Sequence, residues 1–209
     1  ALFALIGRVD YAFMDKYLFS STIRRDGSSR FGPNSKYGIF PSFSLGWRVS
    51  QEDFMKSATW VNDLKIRGSW GKLGSQNNVN SSNQYTQFGS GGGNSYYAIT
   101  GSSTSINQGF YASRIGNLST SWEEDVITNI GLDGTFLNNK LSGSIEWYQK
   151  KANGLLFTDQ AGATVGGAAR PTVNIGDLQT TGLDLSANYR GQAGSDWGYN
   201  IGVNLTTYK

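Results

Sequence analysis

Along residues 39–50 the chain alternates between two kinds of side chain. Ile39, Pro41, Phe43, Leu45, Trp47 and Val49 form one set; Phe40, Ser42, Ser44, Gly46, Arg48 and Ser50 form the other. One set is apolar and the other mostly small or polar, and a period of two predicts a strand with two unlike faces. Seven more stretches follow the same rule. In 3–13, Phe3, Leu5, Val9, Tyr11 and Phe13 oppose Arg8 and Asp10. In 17–25, Tyr17, Phe19 and Ile23 oppose Ser20, Thr22 and Arg24, and in 63–73, Leu64, Ile66 and Trp70 oppose Lys65, Arg67 and Ser69. Further on, Val126, Ile130, Leu132 and Phe136 oppose Asp125, Asn129, Asp133 and Thr135, while Leu141, Ile145 and Trp147 oppose Ser142, Ser144 and Glu146. The last two are Leu183, Leu185, Ala187 and Tyr189 against Asp184, Ser186 and Asn188, and Trp197, Tyr199, Ile201, Val203 and Leu205 against Asn200, Asn204 and Thr206.

The connections are 14–16, 26–37, 50–62, 74–121, 137–140, 152–180 and 191–196. The fifth is tight and carries Asn138 and Asn139, which tolerate turn geometry. The third is predicted to hold one helical turn, with Ser50 and Asp53 at capping-box spacing. Antiparallel neighbours place successive connections at opposite ends, so the long ones gather at one end and the short ones at the other. Outer-membrane barrels have this asymmetry. An eleven-residue strand rises about 36 Å and, tilted by about 45°, spans the roughly 25 Å of a lipid-facing band. Trp47 and Trp197 lie near short turns, and Trp70 and Trp147 near long loops, as interfacial girdles require. A soluble β-sandwich also alternates, but its outer faces carry many long charged residues; here they are mainly Ser, Gly, Asn and Thr.

Composition narrows the chemistry. The chain has 28 glycines and 3 prolines, a mix that suits strands joined by polar loops rather than helices. It has no cysteine and no histidine, which removes thiolate nucleophiles, disulfides, Cys/His zinc sites and histidine acid–base catalysis together. We therefore expect no enzyme, no cofactor and no metal centre. The net charge of +3 comes from scattered basic residues, so no nucleic-acid partner is expected. No apolar run approaches the roughly 18 residues of a transmembrane helix. The chain begins and ends within strands, which points to a piece of something longer.

Four blocks, in order, carry a family resemblance. RRDGSSRFGPNSKYGIFPSFSLGWRVSQEDFM begins at Arg24, LKIRGSWGKLGSQN at Leu64, SWEEDVITNIGLDGTFLNNKLSGSIEWYQKKANGLL at Ser121 and NIGDLQTTGLDLSANYR at Asn174. Together they resemble the SusC/RagA family of TonB-dependent outer-membrane transporters. The resemblance implies an all-β fold: an antiparallel transmembrane β-barrel segment, about eight strands of a larger barrel of about 22. It implies that residues 1–209 are a partial TonB-dependent receptor β-barrel domain, with the plug domain, signal peptide and C-terminal strand lying outside. It further implies a bacterial outer-membrane location in the Bacteroidetes and import of large nutrients such as oligosaccharides or peptides. The partners implied are outer-membrane lipid, a SusD-like lipoprotein lid, TonB through the plug region, and the glycan or peptide cargo. A passive porin or adhesin barrel and a soluble β-rich binding domain are the competing readings.

Three groups are candidate sites. Tyr85, Phe88, Tyr96, Tyr97, Phe110 and Tyr111 lie in the longest connection, where rings can stack on sugars or meet a lid; self-packing of the loop is the plainer reading. Arg24, Arg25, Asp26 and Arg30 flank the second connection and would bind an anion or lipid headgroup, or brace the loop base as ion pairs. Glu123, Glu124 and Asp125 would hold a cation or a substrate hydroxyl, or simply form a solvated loop end. Successive strand residues point to opposite faces, so these acids are not a glycosidase pair. GSGGGNS, residues 89–95, lacks the Lys-Ser/Thr of a phosphate-binding loop and reads as a mobile patch. The sequons at Asn80, Asn117 and Asn204 read as chance matches.

Overall fold

A computed structural model describes residues 1–99, 101, 106–160 and 167–209. The parts of the two longest expected loops at 100, 102–105 and 161–166 lie outside these described residues. In chain order the strands are β1 (Leu2–Phe13), β2 (Tyr17–Ser28), β3 (Tyr37–Arg48), β4 (Val61–Ser75), β5 (Gln87–Gly89), β6 (Tyr111–Arg114), β7 (Glu123–Phe136), β8 (Leu141–Asn153), β9 (Leu156–Thr158), β10 (Thr172–Asn174), β11 (Asp177–Ala193) and β12 (Trp197–Tyr208). The eight long strands form one sheet in the order β1-β2-β3-β4-β7-β8-β11-β12, every neighbour antiparallel. The expected eight-strand meander is therefore present, as an open sheet whose edges are β1 and β12. Two small hairpins, β5/β6 and β9/β10, sit inside the connections read as plain loops.

Register assigns every side chain to a face. Tyr17 pairs with Trp47, Phe19 with Leu45, Phe43 with Trp70 and Trp47 with Ile66, so the apolar sets of β2, β3 and β4 share one surface. Ile130, Trp147 and Leu183 continue it abreast, as do Leu132, Ile145 and Leu185. This surface stays uncovered: Ile145 is 52% exposed, Leu45 60% and Ile201 61%. Among the described residues no second layer packs on it, so it is a face made for hydrocarbon rather than half of a sandwich. Trp70 and Trp147 mark the limit of the apolar band, but they lie well inside β4 and β8. The strands run on to Ser75 and Asn153, because hydrogen-bond pairing persists after the alternation of hydrophobic residues has stopped.

The short ends use tight geometry. Met14 and Asp15 both have positive φ (52° and 55°), and the Lys16 N–H donates to the Phe13 carbonyl at 3.0 Å, closing a type I′ turn. Asn138 and Asn139 repeat this at φ 55° and 65°, with the Lys140 N–H donating to the Leu137 carbonyl at 3.2 Å. Between β3 and β4 two 3₁₀ turns, Val49–Gln51 and Asp53–Met55, replace the expected helical turn. The capping box does not form; the Ser50 hydroxyl donates instead to Asp63 at 2.7 Å across the connection. Glu52 is the clamp of this end. Its carboxylate accepts from Lys16 Nζ at 3.0 Å, Tyr17 Oη at 2.8 Å and Trp47 Nε1 at 3.1 Å.

Two outcomes follow from these contacts. Ile145→Arg places a cation on the apolar band and lowers the stability of the lipid-embedded barrel by about 2–4 kcal/mol, read by denaturant titration in lipid; no change would mean that the face is not in hydrocarbon. The Trp47, Tyr17 and Lys16 donors, in that order, hold the Glu52 carboxyl below its ordinary range. A carboxyl depressed by folding stabilises at pH above its unfolded value and loses that contribution as pH falls through the folded value. The Trp47 indole N–H resonance should therefore hold through pH 5 and move only below the ordinary carboxylate range. Glu52→Gln should abolish the step.

Candidate functional site

The buried core lies at the long-loop end, beyond the sheet's apolar band. Phe31, Phe40, Val79, Trp122 and Leu156 form it, drawn from three separate connections and the end of β3. Phe40 breaks the alternation of β3, an aromatic ring among small polar neighbours. The fold supplies the reason: the Trp122 ring covers it, with centroids 5.5 Å apart, and Phe31 packs against the same indole at 4.9 Å.

A polar network ties the same connections together. Asn83 is only 1% exposed. Its Nδ2 donates to Thr120 Oγ1 at 2.9 Å and to the Thr172 carbonyl at 3.1 Å, and its Oδ1 accepts the Thr172 N–H at 2.6 Å. The Thr120 hydroxyl also donates to the Thr172 carbonyl at 2.6 Å, and the Thr172 hydroxyl donates to the Asn78 carbonyl at 2.9 Å. Asn174 Nδ2 donates to the carbonyls of Ser121 and Gly154, at 3.0 and 2.8 Å. The Gln84 amide donates to the Ser29 carbonyl at 2.9 Å, and Ser28 bonds Gln76. Residues dozens of positions apart are thereby fixed as one platform. Two glycines permit the closest approaches: a Cβ on Gly32 would lie 2.5 Å from the Leu118 carbonyl oxygen, and one on Gly116 2.5 Å from the Tyr85 backbone.

The candidate aromatics rise from this platform. Phe88 and Tyr111 belong to the β5/β6 hairpin, where Phe88 pairs with Ala112 and Gly89 with Tyr111. Tyr97 forms a bridge with Asn107, and the two exchange backbone hydrogen bonds of 3.1 and 2.9 Å. Tyr85, Phe88, Tyr96, Tyr97, Phe110 and Tyr111 are all exposed, Phe88 by 69% and Phe110 by 71%. The Gly91 carbonyl accepts from the Ser95 N–H at 3.0 Å, so the glycine-rich stretch closes into a local turn.

The charged candidates do not converge. Arg24 points to the polar face and pairs with buried Asp26 at 2.6 Å, whereas Arg25 points to the apolar side and lies 4.5 Å over the Tyr37 ring. Arg30 donates to the Gln76 carbonyl at 3.1 Å and so braces the loop base. The Glu123 carboxylate accepts the Leu156 N–H at 2.9 Å, Glu124 pairs with Lys72 at 2.6 Å, and Asp125 with Lys150 at 3.3 Å. Each acid has its own partner, and no group of three or more metal-ligating side chains occurs among the described residues.

The polar face carries cross-strand ion pairs that single stretches of sequence do not reveal. Asp133 takes Lys65 at 3.2 Å and Arg67 at 3.1 Å, and Arg67 also pairs with Glu146. Arg8 pairs with Asp10 at 2.7 Å. A groove along this face is lined by Arg8, Arg24 and Asp26 with the hydroxyls of Ser20, Thr22 and Ser42. Such a wall offers donors and acceptors to a hydrated ligand and no nucleophile–base pair.

Comparison with known proteins agrees with this architecture. The family model for the TonB dependent receptor-like β-barrel matches residues 2–209. The chain is 34% identical to the TonB-dependent receptor SusC of Bacteroides thetaiotaomicron, over 98% of this chain and 20% of that protein. It is 31% identical to the TonB-dependent receptor P3 of Formosa agariphila, over 100% of this chain and 20% of that one. The fold superposes on the RagAB peptide transporter with a TM-score of 0.85 at 24% identity, covering 99% of this chain and 22% of that chain. The chain thus spans about a fifth of the length of the relatives it matches.

Within the platform, Asn83→Ala strands the buried Thr172 N–H, while the Thr172 carbonyl keeps the Thr120 hydroxyl, at a cost of about 1–3 kcal/mol for an unsatisfied group. Proteolysis and amide exchange should accelerate in residues 76–86 and 171–174 while the eight long strands keep their protection. Uniform loosening of the sheet would show that the platform is not a separate unit.

Proposed function

This chain belongs to the TonB-dependent receptor-like β-barrel family, and we propose that it is part of the wall and outer loops of a SusC/RagA-type receptor that imports large nutrients, oligosaccharides or peptides. Its place is the outer membrane. The carrying observation is the sidedness of the sheet: an uncovered apolar face, a polar face of ion pairs and hydroxyls, and the two longest connections, β4 to β7 and β8 to β11, at the same end.

In this reading the apolar face meets lipid and the polar face lines the lumen. The platform and its exposed rings meet cargo or a SusD-like lipoprotein lid. Tyr85, Phe88, Tyr96, Tyr97, Phe110 and Tyr111 supply flat apolar area that suits sugar rings or a partner's interface. Arg24, Asp26 and Arg30 brace the base of the second connection, and Glu123, Glu124 and Asp125 fasten the start of β7. The plug and the TonB contact belong to other parts of the whole receptor. The role is binding and passage, with no bond made or broken.

Two measurements on the whole receptor test this. Changing Tyr96 and Tyr97 together to Ala should lower cargo uptake without altering barrel assembly; unchanged uptake would remove the aromatic contact role. Uptake should also stop when the proton-motive force is collapsed, whereas a passive porin would continue to conduct.

A further inference from the structure

On the long-loop side the lipid-side positions of β2, β4 and β8 change from apolar to basic, while Leu5 and Ile39 beside Arg25 and Val126 beside Lys72 stay apolar. On β2 the last apolar outward residue is Ile23, and the next position on that face is Arg25. On β4 Trp70 is followed at the same spacing by Lys72, and on β8 Trp147 is followed by Gln149 and then Lys151. Register sets Lys72, Val126 and Lys151 abreast on three adjacent strands. The two lysines therefore stand two strand spacings apart, about 9–10 Å. Arg25 lies over the Tyr37 ring, and Lys36 Nζ is 5.8 Å from the centre of the same ring. The carboxylates on this surface are Glu124, which pairs with Lys72 at 2.6 Å, and Asp177, which accepts the Gly154 N–H at 2.8 Å. Among the described residues, cations thus outnumber acids here. At the short-turn end the same face presents rings instead: Phe13, Tyr17, Trp47, Phe136 and Tyr189.

We propose that Arg25, Lys72 and Lys151 form a collar that binds the phosphate groups of anionic lipid in the leaflet on the long-loop side. The chemistry is that of an interface. Lipid phosphates begin where hydrocarbon ends, and these cations begin one or two outward positions beyond the last apolar residue of their own strands. Lys and Arg stems lie along apolar surface while their heads reach the polar layer, and basic groups at such a level attract anionic headgroups. The collar faces away from the platform and is continuous with the apolar band, so its occupant is lipid and not cargo.

The inference rests on the apolar face lying in lipid, and the test separates the two. The whole receptor, as wild type and as the triple variant Arg25→Gln, Lys72→Gln, Lys151→Gln, is placed in nanodiscs of phosphatidylcholine mixed with phosphatidylglycerol. Retained lipids are counted by native mass spectrometry. Wild type should enrich phosphatidylglycerol in a salt-sensitive way. Each neutralised cation should lower that enrichment by about fivefold, with retained phosphatidylcholine unchanged. The single variant Lys151→Gln, at an exposed position, gives the same readout should the triple variant not assemble. Equal phosphatidylglycerol enrichment in wild type and variants, with phosphatidylcholine retained, overturns the collar alone. A wild-type receptor that inserts into neither lipid overturns the membrane reading beneath it.

Discussion

A strand that crosses hydrocarbon has no water to satisfy its N–H and C=O groups, so a neighbouring strand must pair them. The rest of this structure depends on that constraint. The ladder joins the eight long strands, each antiparallel to its neighbour, with a register shift between Val61 and Asp63, and it continues past the apolar band into water. Once the backbone is paired in this way, side-chain chemistry is free to differ on the two faces. Lipid takes one set of alternate positions and the lumen takes the other.

A sheet of this kind has no core of its own on the lipid side. Order at the long-loop end therefore has to be built separately, and it is built from a small aromatic cluster around Trp122 and a buried amide at Asn83. A fully paired polar network in a dry site is specific because each partner left alone is costly. The network fixes which connections meet, and the exposed rings of the β5/β6 region are displayed from that base.

Electrostatics follows the pleat. Sequence neighbours such as Arg24 and Arg25, or Glu124 and Asp125, point to opposite faces and serve unrelated partners. Arg67, Asp133 and Glu146, distant in sequence, meet on one wall because β4, β7 and β8 are adjacent. Charge clusters read along the chain are thus dispersed, and those that matter assemble across it.

The sequence by itself determined the elements and their sidedness. Period-two alternation, turn residues such as Asn138 and Asn139, and the order of long and short connections are local signals. They were enough for eight antiparallel strands with the two longest loops at one end. The family followed from four ordered blocks. Only the tertiary structure decided how far β4, β8 and β11 run, since backbone pairing continues where hydrophobic alternation fades. It also decided that Ser50 serves Asp63 rather than a helix cap, and that Phe40 belongs under Trp122. The meeting of Asn83, Thr120 and Thr172 was likewise invisible in the chain. These partners are separated by tens of residues and have no repeating spacing, so only the folded loops bring them together.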